Sequence, residues 1–123
     1  MSSLKSPEPF YSMTRRAGDL LFLSGFGPVD GQSNVVGKTI EEQTIFTMDA
    51  MTAALASEGA TWDDAVRVNV FLLDLADRDR FNATYQKYFE KRVPTRRLIG
   101  AGDLYKGILV EIDCIACVAT GQK

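Results

Sequence analysis

Arg96 follows Pro94-Thr95 at the head of a short extended segment, and Glu111 and Asp113 stand two apart in the apolar run from Val110 to Val118. A charge placed among apolar residues is costly unless it is paired. Spacing of two on a strand puts both carboxylates on one face. Two uses of these groups are open. Arg96 and Glu111 can form an ion pair that fixes the packing of the sheet or of subunits. Alternatively, Arg96 can receive a substrate carboxylate on its two parallel N–H donors, while a nearby Glu or Tyr orients an attacking water. Tyr11 is a candidate for that second task. Gly25, at a strand end, would let a ligand approach the backbone.

Other chemistries are excluded or weak. The 123-residue chain has no histidine, which removes Ser-His-Asp and Cys-His nucleophile systems and the usual zinc sites. Acid–base work falls to Glu, Asp, Tyr, Lys or a bound water. Cys114 and Cys117 have C-x-x-C spacing, but they sit in a strand-like run, where residues three apart face opposite ways. They read as small buried residues, not as a redox or metal pair. Gly100-Ala101-Gly102 lacks the lysine and the helix start that a phosphate cradle uses. The formal net charge is -2, whereas nucleic-acid binders are usually basic; no nucleic-acid partner is expected. No apolar run approaches the roughly 20 residues that cross a bilayer, and residues 1–9 show no apolar leader core. A cytoplasmic location without membrane contact is expected.

The elements that must position these groups form one domain over residues 10–123, preceded by a loose arm at 1–9 with Pro7 and Pro9. Tyr11–Arg16 reads as a first strand and Leu20–Ser24 as a second. Gly25, Gly27, Pro28 and Asp30-Gly31 then break regular structure, with a brief extended piece at Asn34–Gly37. Thr39 and Glu42 have the spacing of a capping box. They open a helix whose apolar stripe is Ile45, Met48, Met51 or Thr52, and Leu55. Gly59 suits its end. Ala65–Leu73 is a third strand. Asp77–Asp79 signals a second helix with an aromatic stripe of Phe81, Tyr85, Tyr88 and Phe89. Pro94 ends that pattern. Strands at Thr95–Ile99 and Leu109–Ala119 follow, separated by a glycine-bearing loop at Gly100–Gly107. The expected fold class is α+β, with two helices on one face of a mixed sheet. Apolar residues on both faces of the strands point to another subunit covering the second face.

Several collinear stretches resemble the YjgF/YER057c/UK114 family, also called the Rid (reactive intermediate deaminase) family. They are Tyr11-Ser12, Ala17 to Gly25, Thr39 to Thr44, Val70-Phe71-Leu72, Phe81 to Tyr85 with Tyr88-Phe89, Pro94-Thr95-Arg96, and Val110 to Ala116. The resemblance implies a chorismate-mutase-like fold and a homotrimer with sites in clefts between subunits. It implies hydrolysis of enamine and imine intermediates, such as 2-aminoacrylate and 2-iminopropanoate, to 2-oxo acids and ammonium, with no metal or organic cofactor. By this resemblance Arg96 binds the carboxylate of a small substrate, Glu111 helps position the water, and Tyr11 and Gly25 complete the site. Asn82 matches a recurrent helix asparagine, read as structural.

The chain departs from many deaminase members at three places. Phe26-Gly27 precedes Pro28 where they carry Gln and an aliphatic residue. Arg97 stands where a small residue is usual, and Leu98 where many have Cys. Phe26 and Leu98 are thus expected among the substrate-binding residues, making the pocket more apolar. The same departures motivate an alternative, a regulatory trimer that binds a small carboxylate without turnover.

Overall fold

The computed structural model describes residues 10–118, so the 1–9 arm lies outside it. The strands are β1 (Thr14–Ala17), β2 (Leu20–Phe26), β3 (Ala65–Leu72), β4 (Thr95–Gly100) and β5 (Val110–Cys117), and the helices are α1 (Ile40–Ser57) and α2 (Arg78–Tyr85). They build an α+β unit in which one five-stranded sheet has the order β1-β2-β5-β3-β4. Only β3 and β4 run parallel; the other neighbours are antiparallel. Among the described residues, no helix is long and apolar enough to cross a membrane.

The first strand is shorter than Tyr11–Arg16. It starts at Thr14 because pairing with β2 begins there, at Thr14 opposite Leu23. Ser12 and Met13 still lie against β2: the Ser24 amide donates to the Met13 carbonyl and the Ser24 hydroxyl to that of Ser12. These bonds hold the lead-in that carries Tyr11.

Helix α1 begins as its capping box requires. The Glu42 amide donates to Thr39 Oγ1, and Glu42 Oε1 accepts from the Thr39 amide. A cap of this kind contributes about 1 kcal/mol. Gly59, with φ +79°, closes the helix end in the left-handed region. The buried stripe differs from the expected one. Ile45 is 45% exposed, whereas Ile40, Thr44, Thr47, Met48, Met51 and Leu55 are buried, with Gln43 beside them. The inward face is set by the whole helix at 3.6 residues per turn, and its first half fills with Gln and Thr. Helix α2 ends at Tyr85 and tightens into a 3-10 turn at Gln86–Tyr88.

Both helices lie on one face of the sheet. The core between them holds Leu21 and Leu23 of β2, Val68, Val70 and Leu72 of β3, and Val110, Ile112, Cys114 and Ala116 of β5. The strand alternation sends their neighbours to the opposite face. That face is not covered in the single chain: Leu20, Phe22 and Ile99 are about two-fifths exposed. Cys114 is buried and Cys117 half-buried, both are free, and they point to opposite faces as their spacing requires.

Candidate functional site

Arg96 lies on β4, the edge strand, where it pairs with Val68, and Leu98 pairs with Val70. Laterally paired residues share a face, so Arg96 and Leu98 point toward the helices, not toward the open face. Helix α2 receives the arginine. Its guanidinium carbon sits 4.9 Å from the Tyr85 ring centroid and 5.9 Å from that of Phe81. Nη1 donates to Asn82 Oδ1 at 2.8 Å. A cation stacked on aromatic faces and tied by a neutral amide keeps its charge uncompensated by any carboxylate among the described residues. The Tyr85 hydroxyl is pushed up to about 12, chiefly by burial, while the adjacent Arg96 pulls it down. It therefore remains neutral beneath the cation. Phe81 stacks on Tyr85 with 5.3 Å between centroids, forming the floor on which the arginine rests, and Phe89 meets Tyr85 at a tilt, 4.9 Å away.

Glu111 occupies the other face. It pairs with Phe71 while its neighbours on β5, Val110 and Ile112, pair with the core residues Leu72 and Val70. An ion pair between Arg96 and Glu111 within one chain is thereby excluded, because the sheet stands between them. The expectation that the two could be partners is corrected by register. Burial raises the Glu111 carboxyl above its ordinary value, and the nearby Asp113 adds to that. Asp113 is itself engaged, accepting from Asn69 Nδ2 at 2.8 Å.

A bulge in β2 aims the backbone at Glu111. Leu23 pairs with Cys114 and Phe26 with Ile112, so Ser24 and Gly25 together oppose Asp113. Bulges of this kind bend a strand and re-aim its residues. Here Gly25 comes so close that a Cβ on it would run into Glu111 Oε2. Around them opens a cleft of about 540 Å³ lined by Tyr11, Met13, Phe26, Tyr105, Ile108 and Glu111, with Val29 and Ser33 beside them.

The structure thus brings Tyr11, Gly25, Phe26 and Glu111 together and places Arg96 and Leu98 elsewhere. Phe26 borders the cleft from beneath. It is 9% exposed and packs in the core, so its bulk serves the fold first. Leu98 packs against the core's margin beside Arg96. Arg97 faces the open side with Asn69, its partner on β3. Two residues read for structure also serve the arginine, and one residue went unread. Asn82, taken as structural, orients the arginine. Tyr85, taken as core, is its platform. Tyr105 lines the cleft from a loop whose only local signal was an aromatic among glycines.

A family profile described as endoribonuclease L-PSP matches residues 2–118. A relative in Saccharolobus solfataricus, named RutC family protein SSO3206, is 43% identical over 115 residues, covering 91% of each chain. The Arabidopsis thaliana protein named Reactive Intermediate Deaminase A, chloroplastic, is 33% identical over 119 residues, which cover 94% of this chain and 64% of that protein. Among solved structures, that of E. coli TdcF with bound serine superposes with a TM-score of 0.82 at 26% identity, over 89% of this chain and 88% of that one.

Proposed function

The chain belongs to the family described as endoribonuclease L-PSP, the YjgF or Rid family, and from that premise we propose that it hydrolyses reactive 2-imino acids to 2-oxo acids and ammonium. The observation that carries this reading is the pre-oriented Arg96. Its guanidinium is fixed on Tyr85 and Asn82, with no carboxylate partner among the described residues, which suits it to grip one from a ligand.

The chemistry asks little beyond positioning. The protonated imine carbon is already electrophilic. Arg96 holds the carboxylate, and Glu111, helped by the Tyr11 hydroxyl, holds a water against that carbon. The water oxygen bonds to carbon as Glu111 takes its proton, giving a carbinolamine. Glu111 returns that proton to the amine nitrogen. The C–N bond then breaks, its electron pair leaving with ammonia as the hydroxyl oxygen forms the carbonyl, and the hydroxyl proton passes to that ammonia, so that a 2-oxo acid and ammonium result. Fixing two reactants in register supplies much of the rate gain in such a step. The raised affinity of Glu111 for a proton suits it to this exchange.

Because Arg96 and Glu111 face opposite ways on one chain, a working site joins the Arg96 half of one copy to the Glu111, Gly25 and Tyr11 half of its neighbour. A head-to-tail contact of this kind closes into a ring, and a homotrimer is the ring we propose. The exposed Leu20, Phe22 and Ile99 supply an apolar face for it.

The test is to mix the protein with a dehydratase that releases 2-aminoacrylate and to follow 2-oxo acid formation. Acceleration over buffer is expected, with a loss of about 100-fold or more in Arg96→Ala. No acceleration overturns the proposal. Binding of 2-oxobutanoate without turnover would establish the alternative, a carboxylate-binding regulator, for which the altered Phe26, Arg97 and Leu98 are the motive. Cleavage of RNA, which the family's description names, is disfavoured by the net charge of -2.

A further inference from the structure

The cleft beside Glu111 is larger than the smallest 2-imino acid needs. Its volume of about 540 Å³ falls within the ~300–1,000 Å³ of pockets that hold drug-sized ligands, whereas 2-iminopropanoate carries only a methyl group. Its lining away from Glu111 is mixed: the side chains of Met13, Val29 and Tyr105 stand beside Ser33 and the backbone of Gly27, with Ile108 buried behind them. Tyr105 is 60% exposed, so most of its ring is available to a ligand.

Tyr105 is held in place by an unusual device. Lys106 has φ 55° and Ser33 has φ 66°, and they are the non-glycine residues in the left-handed region among those described. The two touch: Lys106 Nζ donates to the Ser33 carbonyl at 2.6 Å. The same ammonium sits 5.6 Å from the centroid of the Tyr105 ring. Ser33 belongs to a loop that is itself pinned, because Asp30 Oδ1 accepts from the amides of Gln32 and Asn34 at 2.9 Å each. Backbone strain of this type persists where the surroundings over-determine it, and it gathers at ligand sites. Two loops far apart in sequence are thus clasped so that an aromatic ring forms a cleft wall.

We propose that Tyr105, with Met13, Val29 and Ile108, forms a side-chain subsite that makes this protein selective for 2-imino acids bearing bulky apolar or aromatic side chains. The inference rests on the deaminase reading given above and adds the substrate class. An aromatic side chain entering the subsite packs against Tyr105 and Met13, the exposed apolar side chains of the lining, while its carboxylate and imine carbon remain at the catalytic end.

The imines are generated in place by a D-amino-acid oxidase from D-alanine, D-leucine and D-phenylalanine, since the imine carbon retains no handedness. Their removal by the intact protein is measured for wild type, Tyr105→Ala and Tyr105→Phe. In wild type, kcat/KM for the phenylalanine imine should exceed that for the alanine imine by about 10- to 100-fold. Tyr105→Ala should lower that ratio by about 10-fold, and Tyr105→Phe should retain it. Activity on all three imines without preference, or a ratio that Tyr105→Ala leaves unmoved, overturns the subsite and leaves the deaminase reading standing. Absence of activity on any imine overturns both.

Discussion

Gly25 has no side chain, and Glu111 fills the space where one would be. The two positions depend on each other although 86 residues separate them (111 less 25). Gly25→Ala would push the carboxylate, which is the free end of a flexible side chain, and leave the backbone in place. The variant should fold with little change in Tm. Its kcat should fall by about 100-fold, since a misplacement of about 1 Å at a reacting group has that effect. Steady-state kinetics beside a melting curve separate the two outcomes, and equal activity would detach Gly25 from the site. Arg96, Glu111, Tyr11 and Gly25 were all legible as residue types in suggestive places. That Arg96 and Glu111 face apart was not, because the facing of a strand residue follows from register with strands elsewhere in the chain. Tyr85 does fill the core, but that it and Asn82 also hold the arginine was not legible for a related reason: a helix residue that orients an arginine has the same spacing as one that only fills the core.

Helix α1 shows how an element reaches the site without entering it. Gln43 is 4% exposed, yet it is polar and was not expected inside. Its Nε2 donates to the Gly37 carbonyl at 3.1 Å, and its Oε1 accepts from the Leu109 amide at 2.7 Å. Leu109 leads directly into Val110 and Glu111. Gln43→Met would leave both backbone groups without their partner and should cost about 2–6 kcal/mol of stability, each unmet group costing about 1–3. Chemical denaturation checks this, and a loss under about 0.5 kcal/mol would show that other partners replace the amide. The start of α1 was readable because a capping box is local. Its buried face was not, because the usable signal is apolar spacing and this face mixes Gln and Thr with Met. The bulge at Ser24-Gly25 left no trace beyond the glycine itself, since a bulge exists only relative to a partner strand.

The whole molecule has a closed face and an open one, and the proposed site needs both. Mixing Arg96→Ala with Glu111→Gln chains, each inactive alone, should restore activity after exchange of subunits. With random 1:1 assembly into rings, about a quarter of the sites would pair an intact Arg96 with an intact Glu111. No recovery in the mixture would place both residues in one chain's site or in none. The α+β class and the uncovered second face were legible in the apolar content of the strands. The identity of the face that keeps the arginine was not. Strand β5 also carries one thiol to each side. Cys114 lies in the core, its thiol pushed up to about 12 by burial, and Cys117 sits half-buried on the open face beside its partner Leu20. An alkylating reagent therefore meets two clocks on one strand. If the open face is covered in the proposed ring, Cys117 should be modified at the rate at which subunits separate, faster on dilution, and Cys114 only at the rate at which the chain unfolds; labelling of Cys117 that ignores dilution would leave that face outside the ring. Mass spectrometry of the two labelled peptides would time assembly and folding in a single tube.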